Sequence, residues 1–372
     1  MRATVRRFLQ KECPSDKQRQ WHRNAEYPQE LFAKMAQAGW FGVPMPQEYG
    51  GAGGGVMEMV VLGEELGYFG YDIASGYGAT VFCGLNLARH GSEEQKSFYI
   101  PRAISGELRF SIAITEPGAG SDAAAITTYA AVEGDHFVVN GEKRFCSGAG
   151  LPNTIIQLYA RTDRTASKQE GLSLILLDPN THGVRLRRLD TFGRRMFGTY
   201  EVFLEDVRVP RQNLLGKLNQ GWNLLLSGLE IERLFVCANY VGGIQRIIDE
   251  AVEYAQQRKQ FGRPIGSFQA IAHAWADLQT KADAARLLTY RAAWLAAKGL
   301  PCIKEVAMAK LFGSETYVEA SHWGLQTLGG IGYVCETDMA LHYVDAAAAT
   351  ITAGSSQMQR NIIARKMGLK VI

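Results

Sequence analysis

The spacing of apolar positions along the chain changes twice, and the changes divide it into three. Up to Glu107 the period is helical. Leu31–Met45, LFAKMAQAGWFGVPM, carries apolar residues at helical spacing and stops at Gly-Val-Pro. Gly63–Gly91 continues the pattern, and Ser92–Ile104 opens with Ser92 and Gln95 at capping-box spacing. Before Gly63 lies YGGAGGG, Tyr49–Gly55. It is expected to be a flexible connector, because neither the Lys-Ser/Thr pair nor the helix start of a phosphate-cradling loop is apparent after it.

From Leu108 the alternation shortens to every second residue. Thr128–Ser147, TYAAVEGDHFVVNGEKRFCS, places Glu-Gly-Asp and then Asn-Gly between alternating stretches, which predicts two successive hairpins. NTIIQLYAR, GLSLILLD, GVRLRRL and YEVFLEDVRVP supply further short strands. These elements predict a small β barrel or sandwich. The remainder is helical again. Ile231, Leu234, Phe235, Ala238, Val241, Ile244, Ile248, Ala251 and Ala255 step by three and four, marking one long amphipathic helix from Ile231. Phe268–Gly299 and Cys302–Gly330 predict two more, each stopped by glycine. With a terminal helix they predict a four-helix bundle. The expected class is α+β: a helical domain over 1–107, a β domain over 108–218 and a helical bundle over 219–372. No strand–GxGxxG–helix unit occurs, so a Rossmann nucleotide site is not expected.

Composition narrows the function. The chain has 372 residues, 47% hydrophobic and 21% charged, with a formal net charge of +3. That is the balance of a soluble globular protein without an electrostatic case for nucleic acid. No run of roughly 20 apolar residues suits a membrane span, and the N-terminus lacks an apolar signal segment. The six cysteines form no CxxC pair and are read as reduced, packed thiols of a cytoplasmic protein. The seven histidines show no ligand spacing, so no metal site is expected.

Ala113–Asp122, AITEPGAGSD, stands where the β region begins. Its Pro-Gly-Ala-Gly turn, flanked by Thr115 and Ser121, could present N–H groups and hydroxyls to a flat heterocycle or a phosphate, or simply connect two strands. This decapeptide resembles the signature of the acyl-CoA dehydrogenase family, and it does not stand alone. NGEKRFCSGAG, QRKQFGRPIGSFQAI, LQTLGGIGY and GSSQMQR resemble further family segments, in the family's order across nearly the whole chain.

The resemblance implies an FAD enzyme. Ile112, Ile114, Thr115, Gly120 and Ser121 would line the flavin and pyrophosphate, with Ser121 also near substrate. Phe145 would lie against the isoalloxazine and Ser147 near its N5 region. Arg258, Gln260, Phe261 and Gln269, with Gln326 and Gly330, would bind the FAD of a partner subunit, and Ser355 and Gln357 would approach adenine and phosphates. Each residue also has a structural reading: Phe145 as core, Arg258 as a solvated helix end, Ser147 as a hairpin hydroxyl.

Dehydrogenating a saturated acyl thioester needs a base at the α-carbon. In many relatives it is a glutamate in the last loop, where this chain has Ala353 in ATITAGSSQMQR. A branch resembling isovaleryl-CoA dehydrogenase carries it instead in a Glu-Arg pair at the start of the first bundle helix, and GLEIERLF supplies Glu232 and Arg233 there. None of Gly228, Leu229, Phe235 and Val236, the helical neighbours of Glu232, is basic, so an ordinary helical ion pair is missing. Glu230, with Arg233 three residues on, could be paired; the resemblance gives both a place on the pantetheine and CoA side. Ala353 retains a backbone N–H that would polarise the thioester carbonyl. The resemblance implies an electron-transfer flavoprotein as acceptor and a homo-oligomer, a dimer of dimers. It leaves open a carrier-protein-bound substrate, enoyl-CoA reduction, or a flavin scaffold without turnover.

Overall fold

The computed structural model describes residues 1–371. Six helices come first: α1 Arg2–Glu12, α2 Ser15–Asn24, α3 Gln29–Gln37, α4 Val56–Phe69, α5 Tyr71–His90 and α6 Glu93–Ile104. The capping box at Ser92 forms as its spacing predicts, with Ser92 and Gln95 exchanging hydrogen bonds at the start of α6. The glycine-rich stretch before α4 departs from expectation. Helix α4 begins directly after it, and Gly53 N and Gly54 N donate to Met45 O and Val43 O at 2.9 and 2.8 Å. It is a pinned turn rather than a flexible connector, because its glycines let the backbone lie directly on residues 43–45.

The middle of the chain forms one branched sheet from β1 Arg109–Ala113, β2 Tyr129–Glu133, β3 His136–Ser147, β4 Thr154–Arg161, β5 Leu172–Leu177, β6 Val184–Leu189, β7 Thr199–Pro210 and β8 Leu214–Leu215. Its order is β6-β7-β3-β2-β4-β5-β8, with β1 added in parallel to β4. Only one of the two predicted hairpins exists. β2 and β3 turn at Gly134, but Asn140-Gly141 lies inside β3, where the register against β7 slips. Gly141 sits at φ +148°, and Asn140 exchanges two hydrogen bonds with Asp206 across the slip. Asn-Gly here makes a bulge that Asp206 clamps, not a turn.

Helix α7 runs from Gly221 to Gln257, so it starts ten residues before Ile231 (231 − 221). Glu232 therefore stands about three turns inside it, not in its opening turn. The residues ahead of Ile231 escaped the periodicity because Ser227, Gly228 and Glu230 interrupt the apolar stripe. A short hairpin follows, β9 Lys259–Gln260 with β10 Arg263–Pro264, then α8 Gln269–Ala297, α9 Ile303–Leu328, α10 Asp338–Ala346 and α11 Ser356–Lys366. The bundle and the first domain share a core. The ring of Phe235 fills the space that a Cβ would need at Gly63 of α4 and Gly78 of α5, locking α7 against both.

Candidate active site

Glu116 is tied to β3 by a buried ion pair, and Thr115 O accepts from Arg144 N of the same strand at 2.8 Å. Lys143 Nζ donates to Glu116 Oε1 at 2.8 Å and to Ile114 O at 3.1 Å, with both charged side chains buried. Glu116 also accepts from Thr127 N at 2.6 Å and Thr128 N at 2.9 Å. Burial would raise its carboxyl, but the Lys143 charge and these donors outweigh it and bring it down to about 2. The signature loop is thereby rigid at its base, while Gly118 and Gly120 have open space where a side chain would be.

A second irregularity of β3, between Lys143 and Cys146, presents Phe145 outward at φ +59° and 61% exposed. Ser147 is exposed two residues on, on the same face of the strand. A phenyl ring pushed out of a sheet beside a hydroxyl and an open-edged turn is a platform for a flat heteroaromatic group, and Phe145 is not core. Ile112 of β1 and Ile114 just after it pack against the same apolar cluster as Leu229 of α7, so the start of the signature loop and the turn of α7 before Glu232 share one core.

Glu232 is half-buried and has neither an ion pair nor a hydrogen bond among the described residues. Desolvation pushes its carboxyl up to about 6, with the Arg233 and Lys310 charges opposing. Glu230 is not paired with Arg233. It accepts from the Cys302 thiol at 2.6 Å, and Arg233 Nε turns instead to Ala353 O at 3.0 Å. The i,i+3 pair fails because Arg233 lies on the face of α7 that meets the last loop.

Ala353 occupies left-handed backbone at φ +55°, followed by Gly354 at +86°. Its N–H has no acceptor among the described residues, which leaves one donor free beside Arg233. Ser355 caps α11 by accepting from Met358 N at 3.3 Å, and Gln357 is exposed in the first turn of that helix. Sequence reasoning missed the groups that hold this loop. Buried Lys310 Nζ and Tyr240 Oη both donate to Ala349 O, at 3.0 and 3.1 Å. Burial pushes the Lys310 ammonium down to about 8. In AMAKLFGSE a lone lysine on a helix reads as a side chain reaching solvent, and its partner Ala349 lies 39 residues away.

The remaining residues lie elsewhere. Arg258, Gln260, Phe261 and Gln269 are exposed at the far end of α7, with Phe261 94% exposed. From Glu232 to Arg258 is 26 residues of helix (258 − 232), roughly 40 Å at the helical rise. Gln326 and Gly330 are exposed at the same end, where Trp275 Nε1 of α8 donates to Thr327 Oγ1 at 3.1 Å. One chain therefore joins the Glu232–Arg233 turn of α7 to Ala353 and the start of α11, and leaves this second group at the far end of the bundle. Among the described residues no cluster of His, Cys, Asp and Glu is placed to hold a metal, and no helix is long and apolar enough to cross a membrane.

The outward Phe145 ring, the exposed Ser147 and the open space at Gly118 and Gly120 fit a flavin, and the comparisons agree. The acyl-CoA dehydrogenase N-terminal, middle and C-terminal domain models match residues 1–107, 111–207 and 219–368. The chain is 38% identical to a 3-(aryl)acrylate reductase of Clostridium sporogenes, over 93% of this chain and 92% of that one. It is 37% identical to the CarC subunit of the caffeyl-CoA reductase–Etf complex of Acetobacterium woodii, over 98% and 96%. It also resembles a glutaryl-coenzyme A dehydrogenase solved as its glutaryl-CoA complex, with a TM-score of 0.95 at 33% identity over 99% and 94% of the two chains. The order of helices, sheet and helices and the matches along the full length make one case: the chain belongs to the acyl-CoA dehydrogenase family of FAD-dependent oxidoreductases.

Proposed function

We propose that the protein catalyses α,β-dehydrogenation of an acyl-CoA thioester to the trans-2-enoyl-CoA, with Glu232 as the base at the α-carbon. The observation that carries this is a carboxyl without a partner among the described residues, lifted to about 6, on α7 just after Leu229, which shares an apolar cluster with Ile112 and Ile114. A carboxyl in that range is ionised at neutral pH yet basic enough to take a proton from an activated carbon. The free N–H of Ala353 binds the thioester oxygen and so acidifies that carbon. Ile112, Ile114, Thr115, Gly120, Ser121, Phe145, Ser147, Ser355 and Gln357 would hold FAD, which would supply the acceptor for the hydride leaving the β-carbon. Arg233 holds the carbonyl of Ala353, and Glu230, near Cys302, lines the pantetheine side.

Arg258, Gln260, Phe261, Gln269, Gln326 and Gly330 serve the cofactor of a second copy, which makes the working unit a homo-oligomer of domains 1–107, 108–218 and 219–372. An electron-transfer flavoprotein collects the electrons. The names of the Clostridium and Acetobacterium relatives favour a second reading, reduction of an enoyl-CoA. The same carboxyl then works in its protonated form, delivering a proton to the α-carbon. Anaerobic titration of the flavin's visible absorbance separates the readings. Bleaching by saturated acyl-CoAs supports dehydrogenation. Reoxidation of prereduced flavin by arylacryloyl-CoA, without such bleaching, supports reduction. Silence toward every thioester overturns both.

A further inference from the structure

Ala353 has a left-handed backbone, and so does the residue after it, so the direction of its N–H depends on what holds both neighbours. On the C-terminal side Arg233 Nε and Gln359 Nε2 hold Ala353 O at 3.0 and 3.3 Å. On the N-terminal side the holding group comes from the β domain. Arg194, in the turn between β6 and β7, donates from Nη1 to Thr352 Oγ1 at 3.2 Å, and that hydroxyl donates to Ala348 O at 3.1 Å. We propose that Arg194 is a positioning residue: by fixing Thr352 it aims the Ala353 N–H at the thioester oxygen, coupling the flavin domain to the carbonyl-polarising loop.

The turn carrying Arg194 is built to keep it in place. Gly193 lies against Val344 O so closely that any Cβ would collide. Arg194 N donates to Asp345 Oδ1 at 2.6 Å, its Nε to Asp345 O at 3.2 Å, and Met196 N to Asp72 Oδ2 at 2.6 Å. Its guanidinium carbon stands 3.7 Å from the centroid of the Tyr71 ring. Arg194 itself is left-handed at φ +55°, and its buried Nη2 has no acceptor. A strained residue with an unsatisfied charged nitrogen is a poor choice for packing alone. The contacts to Asp345 and Tyr71 fix where the guanidinium stands, and the donation to Thr352 is the polar contact by which it reaches the last loop.

The inference rests on the thioester reading, and its test separates the two. Arg194→Met and Thr352→Val are compared with the parent by the red shift of bound cinnamoyl-CoA, which reports carbonyl polarisation, and by the rate of flavin bleaching. Thr352 is exposed, so its variant keeps the fold. We expect both variants to retain FAD and bind the thioester within about threefold of the parent, since contacts to the acyl group are untouched. The red shift should fall below about half, and bleaching should slow roughly 10- to 100-fold. The double variant should be no slower than Arg194→Met alone. Folded variants with the parent's red shift and rate, or fully additive losses, overturn the proposal. A parent that neither shifts cinnamoyl-CoA nor bleaches with any thioester contradicts the functional reading instead. Amide exchange over 349–355 then decides: faster exchange in both variants upholds the clamp, and unchanged exchange overturns it.

Discussion

Glu116 and Glu232 are the same residue in opposite circumstances. Glu116, at the root of the signature loop, has Lys143 and the donors of Thr127 and Thr128 around it and is held at about 2. Glu232, on α7, has none of these and rises to about 6. Full hydrogen-bonding makes a carboxylate structural. Partial burial without a partner makes one chemical. The sheet uses its glutamate for rigidity at the base of the signature loop, and on the proposed mechanism the bundle leaves its glutamate free to move a proton.

That contrast can be broken from either side. The largest effect is expected from Glu232→Gln, which removes the proposed base but keeps size and hydrogen-bonding capacity. Flavin bleaching by a saturated acyl-CoA should slow by roughly 10²- to 10⁴-fold with FAD still bound, as stopped-flow absorbance would measure. Next is Lys143→Met, which strands a buried carboxylate. It should cost about 3–5 kcal/mol in urea unfolding and release FAD. Lys143→Met with Glu116→Gln should regain a good part of that loss, whereas neither change should alter the pH at which Glu232 titrates. The smallest effect sharpens the comparison with a third buried carboxyl. Burial and the neighbouring Asp345 raise Asp72, and burial raises Asp345. Folding therefore retains protons that the unfolded chain releases, and stability falls as pH rises from about 4 to about 7. Asp72→Asn can still accept from Met196 N. It should raise Tm by a few degrees at pH 8 and change it little at pH 4, by calorimetry.

Local chemistry was legible and long-range contact was not. The Pro-Gly-Ala-Gly turn, the Ser92–Gln95 cap and the glycine stops of α8 and α9 are decided within a few residues, and all appear. The Glu232 and Ala353 assignment came from two motifs read together; the structure adds that Arg233 joins them through a hydrogen bond spanning 120 residues. Asn140-Gly141 was read as a turn because that dipeptide fits one, but the clamp that makes it a bulge is Asp206, 66 residues away. The Cys302 thiol on Glu230, Lys310 on Ala349 and Arg194 on Thr352 are likewise partners that no periodicity announces.

The central claim, that Glu232 is the proton-transferring group, is tested most directly by the pH dependence of anaerobic flavin bleaching under kcat/KM conditions, for the parent and for Glu232→Gln. As base, Glu232 must be ionised, so the parent's rate should rise with pH, bend near 6 and level off above it. The same carboxyl used as an acid in the reductive direction would give the opposite slope. Glu232→Gln should be slow and flat through that range. A variant that bleaches as fast as the parent, or keeps the parent's bend near 6, would contradict the account.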